Sequence, residues 1–384
     1  MSRRGRVLTV VGNRPQFVKA AAVSQHLRES ADETLVHTGQ HYDRELSDVF
    51  FEELALPPPD QQLGVGSGSH AEQTGAIITR LEPLVGEVAP DAVLVYGDTN
   101  STLGGALVAA KAHLPLAHVE AGMRSFNRSM PEEINRMVAD SLSQLLLCST
   151  EAAVANLERE GLGKGALLVG DVMADVALTF GPIAERRSDA LQRLRLERGA
   201  FCIATAHRAG NVDDPGRLRR LVEVLARAAR VAPVIFPVHP RTRARLAAAG
   251  GLDSLEECGI TAIDPVGYLD MTCLVRASRA VITDSGGLQK EAFLASVPCV
   301  TMREETEWVE TVEAGWNRLV GLDPDAAAAA LEELPRPGGR VSPAAEIYGE
   351  GKAGERVAAA ITERLGRAAR HPSEPRSVPT LRRR

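Results

Sequence analysis

Three carboxylates stand where an apolar strand pattern stops or a helix pattern starts. Asp98 ends Val95-Tyr96-Gly97-Asp98-Thr99-Asn100, and Glu120 ends His118-Val119-Glu120-Ala121-Gly122. Glu132 opens a helical stretch in Ser129-Met130-Pro131-Glu132-Glu133-Ile134-Asn135-Arg136. A charge that closes a buried strand is expensive unless it has a task. Asp98 and Glu120 therefore read together as a carboxylate cluster with mutually raised pKa values, suited to moving protons. An acid in a first helical turn is ordinary dipole complementation, so Glu132 taken alone reads as structural.

Groups suited to anions follow other strands. Gly12-Asn13-Arg14-Pro15-Gln16-Phe17-Val18-Lys19 puts Arg14 and Lys19 around a helix N-terminus, whose free N–H groups attract a diphosphate. The alternative is a pair of solvated cations at a turn. In the second half, His207-Arg208 and His239-Pro240-Arg241 each follow a strand pattern. Thr283-Asp284-Ser285-Gly286-Gly287-Leu288-Gln289-Lys290-Glu291 places Ser285, Gly286 and Gly287 between a strand and a helix, a natural phosphate cradle, with Glu291 one turn further on to accept from a ribose diol. His37-Thr38-Gly39-Gln40-His41-Tyr42-Asp43 suits cleft-edge hydrogen bonding through Gln40 and His41. Metal binding there lacks an acidic or cysteine partner, so no metal is expected. Gly64-Val65-Gly66-Ser67-Gly68-Ser69-His70 reads either as a lid or as a long loop. Neither a dinucleotide GxGxxG nor a P-loop is present, which argues against NAD and ATP.

These loops need elements to hold them. Strand patterns at Arg6–Val11, Glu33–Thr38, Ala92–Tyr96, Leu116–Val119 and Leu145–Cys148 alternate with helical ones at Phe17–Arg28, Gln73–Glu87, Thr102–His113 and Glu133–Ser143. The rhythm returns with strands at Phe201–Thr205, Val234–Val238, Thr261–Ile263, Ala280–Thr283 and Cys299–Thr301, and helices at Pro215–Arg230, Met271–Arg276 and Leu288–Ala295. The fold class is α/β: two Rossmann-like, doubly wound domains facing a central cleft. Residues 1–172 form the domain with the carboxylates and 183–350 the nucleotide-binding domain, joined near Gly170–Pro182. A helix over 351–370 packs back across both, and 371–384 is a disordered tail.

A chain of 384 residues can bury two such cores, and a net charge of −6 offers no general nucleic-acid surface. No apolar run approaches a membrane span and no signal peptide is legible, so a cytoplasmic location without a membrane partner is expected. The five cysteines are scattered with no CxxC and read as reduced.

The sequence resembles the non-hydrolysing UDP-N-acetylglucosamine 2-epimerases, which share the GT-B fold of nucleotide-sugar glycosyltransferases. The resemblance runs from about Val7 to Arg364. It rests on Gly12-Asn13-Arg14-Pro15, Gly97-Asp98-Thr99, His118-Val119-Glu120-Ala121-Gly122, Pro131-Glu132-Glu133-Ile134-Asn135-Arg136, Thr283-Asp284-Ser285-Gly286-Gly287 and Tyr348-Gly349-Glu350-Gly351. It implies anti elimination of UDP to 2-acetamidoglucal and re-addition on the opposite face, with no cofactor and a homodimeric enzyme. Asp98, Glu120 and Glu132 would carry the catalytic carboxylate roles and His207 would complete the set. Arg14, Lys19, Gln40, His41, Arg136, His239, Ser285, Gly286, Gly287 and Glu291 would hold the UDP-sugar. Better-known members carry Gln-His-Arg-x-x-Met and Thr-Glu-Arg-Pro-Glu; here stand Gln40-His41-Tyr42-Asp43 and Thr306-Glu307-Trp308-Val309-Glu310. Gly210 also replaces an acidic residue. The first two departures, together with Gly66-Ser67-Gly68-Ser69-His70, resemble a subgroup acting on UDP-2,3-diacetamido-glucuronate. Substrate readings are therefore UDP-GlcNAc/UDP-ManNAc or that uronate, with a GT-B glycosyltransferase as the rival from another class.

Overall fold

The computed structural model describes residues 4–39, 56–250, 252–335 and 341–370. The amino-terminal sheet contains β1 (Arg6–Val11), β2 (Asp32–His37), β3 (Gln61–Gln62), β4 (Ala92–Tyr96), β5 (Leu116–Ala121), β6 (Leu145–Cys148) and β7 (Ala166–Leu168). The second contains β8 (Cys202–Thr205), β9 (Val234–Pro237), β10 (Ile260–Ile263), β11 (Ala280–Thr283), β12 (Cys299–Thr301) and β13 (Asn317–Leu319). Their spatial orders are β3-β2-β1-β4-β5-β6-β7 and β10-β9-β8-β11-β12-β13, and the pairings are parallel. Parallel strands need helices on both faces, which is why Val7 to Val11 can be apolar without alternation. Leu8 and Val10 face a core with Leu81, Ala106 and Ala109. Val7 and Val11 face the opposite core, with Phe17, Val23, Val176 and Val357.

Both sheets reverse strand order at one point, between β1 and β4 and between β8 and β11. Connections diverge there to opposite faces and leave a crevice beyond the strand ends. The unusual side chains identified above follow β1, β4 and β5 in one lobe and β8, β9 and β11 in the other.

Strands β3, β7 and β13 escape sequence reading because they are two or three residues long and carry little buried apolar surface. Strand β5 runs past Val119 to Ala121, with a register shift between those residues. Val172–Arg187 is one continuous helix that includes Gly181 and Pro182.

The helix Ala353–Arg370 lies on the helix Arg14–Ser30, adding Val357, Ala358, Ile361 and Leu365 to the amino-terminal core. Its start is fixed by Asp175, which accepts from Ala353 N at 3.1 Å and Gly354 N at 2.7 Å. A Cβ on Gly354 would collide with the carbonyl oxygen of Ala22. Because that obstacle is backbone, Gly354→Ala should cost about 1–3 kcal/mol by overpacking. A fall in the urea midpoint would register it, and an unchanged midpoint would show that the helices can separate freely. Among the described residues no helix is long and apolar enough to cross a membrane.

Candidate active site

Strand β5 ends in strain. Glu120 adopts φ +71, a left-handed conformation that non-glycine residues avoid and that typically costs about 1–3 kcal/mol. The twist turns its carboxylate into a nearly closed space, 9% exposed. One carboxylate oxygen meets the ammonium of Lys19, from the helix Arg14–Ser30, and the other lies 2.9 Å from Lys290 Nζ, from the second lobe. A Cβ on Gly97, itself at φ +60, would lie 3.1 Å from Lys19 Nζ and 3.3 Å from Glu120 Oε2, so the turn after β4 needs glycine. Burial pushes the Glu120 carboxyl up, but the two ammonium groups outweigh it and hold the group down at about 2. For Glu120 this corrects the expected raised carboxylate. Lys19 is therefore not a solvated cation at a turn: its ammonium is buried against Glu120.

Asp98 has its own cation. Its side chain is 32% exposed and pairs with Arg136, while its carbonyl accepts from Asn135 Nδ2 at 2.9 Å. Both partners come from the helix Pro131–Leu142. Burial lowers the Arg136 guanidinium, but Asp98, Glu307 and Glu133 prevail and raise it. Glu132 is half-buried in the first turn of that helix, with no hydrogen bond or ion pair to a described residue. Its neighbour Glu133 is buried instead. It accepts from Ser125 N and Oγ, both at 2.9 Å, and from Phe126 N at 3.1 Å, so it shapes the loop after Gly122.

Behind these acids, His118 is fully buried in β5. Its Nδ1 lies 2.7 Å from Asp140 Oδ1 and its Nε2 2.7 Å from the Gly97 carbonyl. Each ring nitrogen thus faces an acceptor, one a carboxylate and one a backbone carbonyl. Asp140 also meets Arg124 Nη1 at 2.7 Å and accepts from Gly122 N at 3.1 Å. The pair thus ties the turn bearing Asp98 to the turn following Glu120.

In the second lobe, Asp284 is fully buried after β11 and accepts from His207 N at 3.1 Å, Arg208 N at 3.1 Å and Asn211 Nδ2 at 3.2 Å. This fixes the turn after β8. His207 lies lowered below the usual histidine range, first because its ring, still 42% exposed, is partly desolvated and then because Arg208, Arg14 and Arg241 repel a proton; Asp284 opposes them. Arg14 therefore reaches this lobe's field from across the cleft. The His239 ring lies 5.6 Å from that of His207, centroid to centroid. Its Nδ1 caps the helix Pro240–Ala248 by accepting from Arg241 N at 3.2 Å.

Ser285 precedes the helix Gly286–Leu294 without capping it by its side chain, so its first N–H groups are open to an acceptor. Gly286 sits directly under the Glu307 carboxylate. The indole N–H of Trp308 is buried with no hydrogen-bond partner among the described residues. Glu307 is held down despite burial by Arg303, Arg208 and Arg136. Burial raises Glu291, and Arg14 and Lys290 oppose that rise.

The structure therefore brings Arg14, Lys19, Asp98, Glu120, Arg136, His207, His239, Ser285, Gly286, Gly287 and Glu291 to the facing strand ends. Gln40 and His41 lie outside the described residues. Ser69 and His70 start a helix with a reciprocal capping box rather than ending a free lid. Sequence reasoning missed Glu133, Asp140, His118, Asp284, Lys290 and Glu307 as parts of the machinery. Asp284 alone carried a usable signal, a charge closing an apolar strand as at Asp98.

Two parallel sheets with their switch points facing one cleft define a two-lobed nucleotide-sugar enzyme of the GT-B class. A family profile described as UDP-N-acetylglucosamine 2-epimerase matches residues 25–362. The chain is 46% identical over 361 residues to the UDP-2,3-diacetamido-2,3-dideoxy-D-glucuronate 2-epimerase of Pseudomonas aeruginosa, covering 92% of this chain and 98% of that one. It is 40% identical over 361 residues to the UDP-N-acetylglucosamine 2-epimerase of Methanocaldococcus jannaschii, with 92% and 98% covered. The crystal structure of the M. jannaschii enzyme in complex with UDP-GlcNAc and UDP matches with a TM-score of 0.85 at 38% identity, over 93% of this chain and 99% of that one. The chain belongs to the UDP-N-acetylglucosamine 2-epimerase family and is an isomerase of the UDP-sugar 2-epimerase class.

Proposed function

We propose that this chain inverts C2 of a UDP-linked 2-acetamido sugar, interconverting UDP-GlcNAc and UDP-ManNAc. A base takes the C2 proton, its electron pair forms the C1=C2 bond, and UDP leaves with the C1–O pair. The bound 2-acetamidoglucal then regains UDP at C1 and a proton at C2 from the opposite face. No carbonyl acidifies that proton, so the leaving group must be stabilised and two opposed proton carriers are needed. Asp98, Glu120 and Glu132 act as the carboxylates and His207 acts beside the diphosphate. Arg14, Lys19, His239, Ser285, Gly286, Gly287 and Glu291 hold UDP, with Gln40, His41 and Arg136 completing the sugar site.

The observation that carries this reading is the meeting of Asp98 and Glu120, from one switch point, with an uncapped helix N-terminus and His207 from the other. A second reading, the same chemistry on UDP-2,3-diacetamido-glucuronate, is favoured by the 46% identity to the P. aeruginosa enzyme. Incubation with each sugar in D₂O, followed by NMR, tests both. Deuterium at C2 with a manno-configured UDP product supports the first; turnover of the uronate alone selects the second. No C2 exchange with either sinks the assignment. We further propose a cytoplasmic homodimer. All five cysteines are free thiols, which suits a reducing compartment, and sedimentation at monomer mass would remove the dimer.

A further inference from the structure

Lys290 precedes Glu291 on the nucleotide-cradling helix Gly286–Leu294, yet it turns away from the cradle. It is 1% exposed and crosses to the amino-terminal lobe, where its ammonium binds both Glu120 and Asp171. The Trp308 ring lies 3.9 Å from that ammonium and the Tyr348 ring 5.6 Å, so aromatic faces attract the cation and keep water out. Three elements thus deliver charge to one dry point: the end of β5, the cap of the helix Val172–Arg187, and the cradle helix. Desolvating an ammonium costs several kcal/mol, which is offset only while its carboxylate partners are in reach. If the cradle helix shifts relative to β5, Lys290 leaves Glu120 with Lys19 alone.

We propose that Lys290 is a positioning residue for the reaction, making the charged form of Glu120 conditional on the cradle helix being seated against the amino-terminal lobe. The inference rests on the reading that Glu120 exchanges a proton with the sugar. With the helix seated, Lys19 and Lys290 bind one carboxylate oxygen each and together favour the charged form. With it displaced, half of that field is gone and proton affinity rises. The other charged or titratable groups around the ammonium are Asp171, Glu310, Glu291 and the Tyr348 hydroxyl.

The test uses the full chain carrying Lys290→Gln together with Asp171→Asn, so that no buried carboxylate is stranded and the cap of the helix Val172–Arg187 keeps an acceptor. Protein labelled at the glutamate side-chain carboxyl carbon is titrated by NMR, with the Glu120 signal identified by its loss in Glu120→Gln. The double variant should raise the Glu120 midpoint by about one pH unit or more, tenfold in proton affinity, while Lys290→Arg leaves it low. The acid limb of kcat/KM should rise by the same amount. An unmoved midpoint, or a loss of kcat/KM equal at every pH, overturns the proposal. Absence of C2 exchange in the unaltered enzyme would instead remove the catalytic reading, and the titration would still decide whether Lys290 sets the charge of Glu120.

Discussion

Asp98→Asn and Glu120→Gln should each lower the rate of C2 inversion by about 10²–10⁴-fold, the range expected when a positioned proton carrier is lost. Both changes conserve shape. The amide in place of Asp98 would keep an oxygen toward Arg136, and the amide in place of Glu120 would keep one toward Lys290 while its NH₂ faces Lys19. A urea midpoint for each variant separates lost proton transfer from lost folding. UDP affinity should stay within about threefold, because the proposed cradle is built from the β8 and β11 turns and organised by Asp284. Isothermal titration with UDP and C2 deuterium exchange in D₂O separate the two effects. Exchange at the unaltered rate in both variants would take these carboxylates out of the mechanism.

The Glu120 carboxyl adds a pH signature. Its folded value of about 2 lies below the ordinary 4.5, so its ion pairs stabilise the fold fully above 4.5. That contribution disappears as pH falls from 4.5 toward 2. Glu120→Gln should therefore flatten the acid loss of stability within this window, and a denaturation series that keeps its full slope would show that the pairing contributes nothing.

How far the site was legible follows from range along the chain. The acids at the ends of β4 and β5 could be found because an apolar run that terminates in a charge is a local pattern. Their electrostatics could not, because the partners of Glu120 lie 101 and 170 residues away, one of them on the other lobe. The sign of the expected shift was wrong for that reason. Glu132 and Glu133 show a different limit. Adjacent helical residues point about 100° apart, and the motif does not say which of the two turns inward; the structure buries Glu133. His118 was hidden in a strand whose register reads as apolar, since only tertiary contact with Asp140 and Gly97 makes a buried imidazole tolerable there. The doubly wound topology, by contrast, was carried by strand–helix alternation, which needs no long-range information.

Asp140→Ala should be the most destabilising single change in the amino-terminal lobe, at about 3–5 kcal/mol, because it breaks a buried ion pair from one side. Asp140 is fully buried and answers three donors: His118, Arg124 and Gly122 N. Arg124 retains Glu160 at 2.7 Å, but His118 would keep only the Gly97 carbonyl. The turn carrying Asp98 would lose an anchor. The urea midpoint should fall accordingly, and C2 exchange should weaken even where the protein is folded. Asp140→Asn, which keeps an acceptor but no charge, should lose less. Burial raises the Asp140 carboxyl, yet His118 and Arg124 bring it below its ordinary 3.8, so its contribution is complete above 3.8 and fades as pH falls below it. The Asn variant should lack that acid-side loss. Equal midpoints for the unaltered protein and Asp140→Ala at about pH 7 would mean that the turns bearing Asp98 and Glu120 are held by something other than this buried pair.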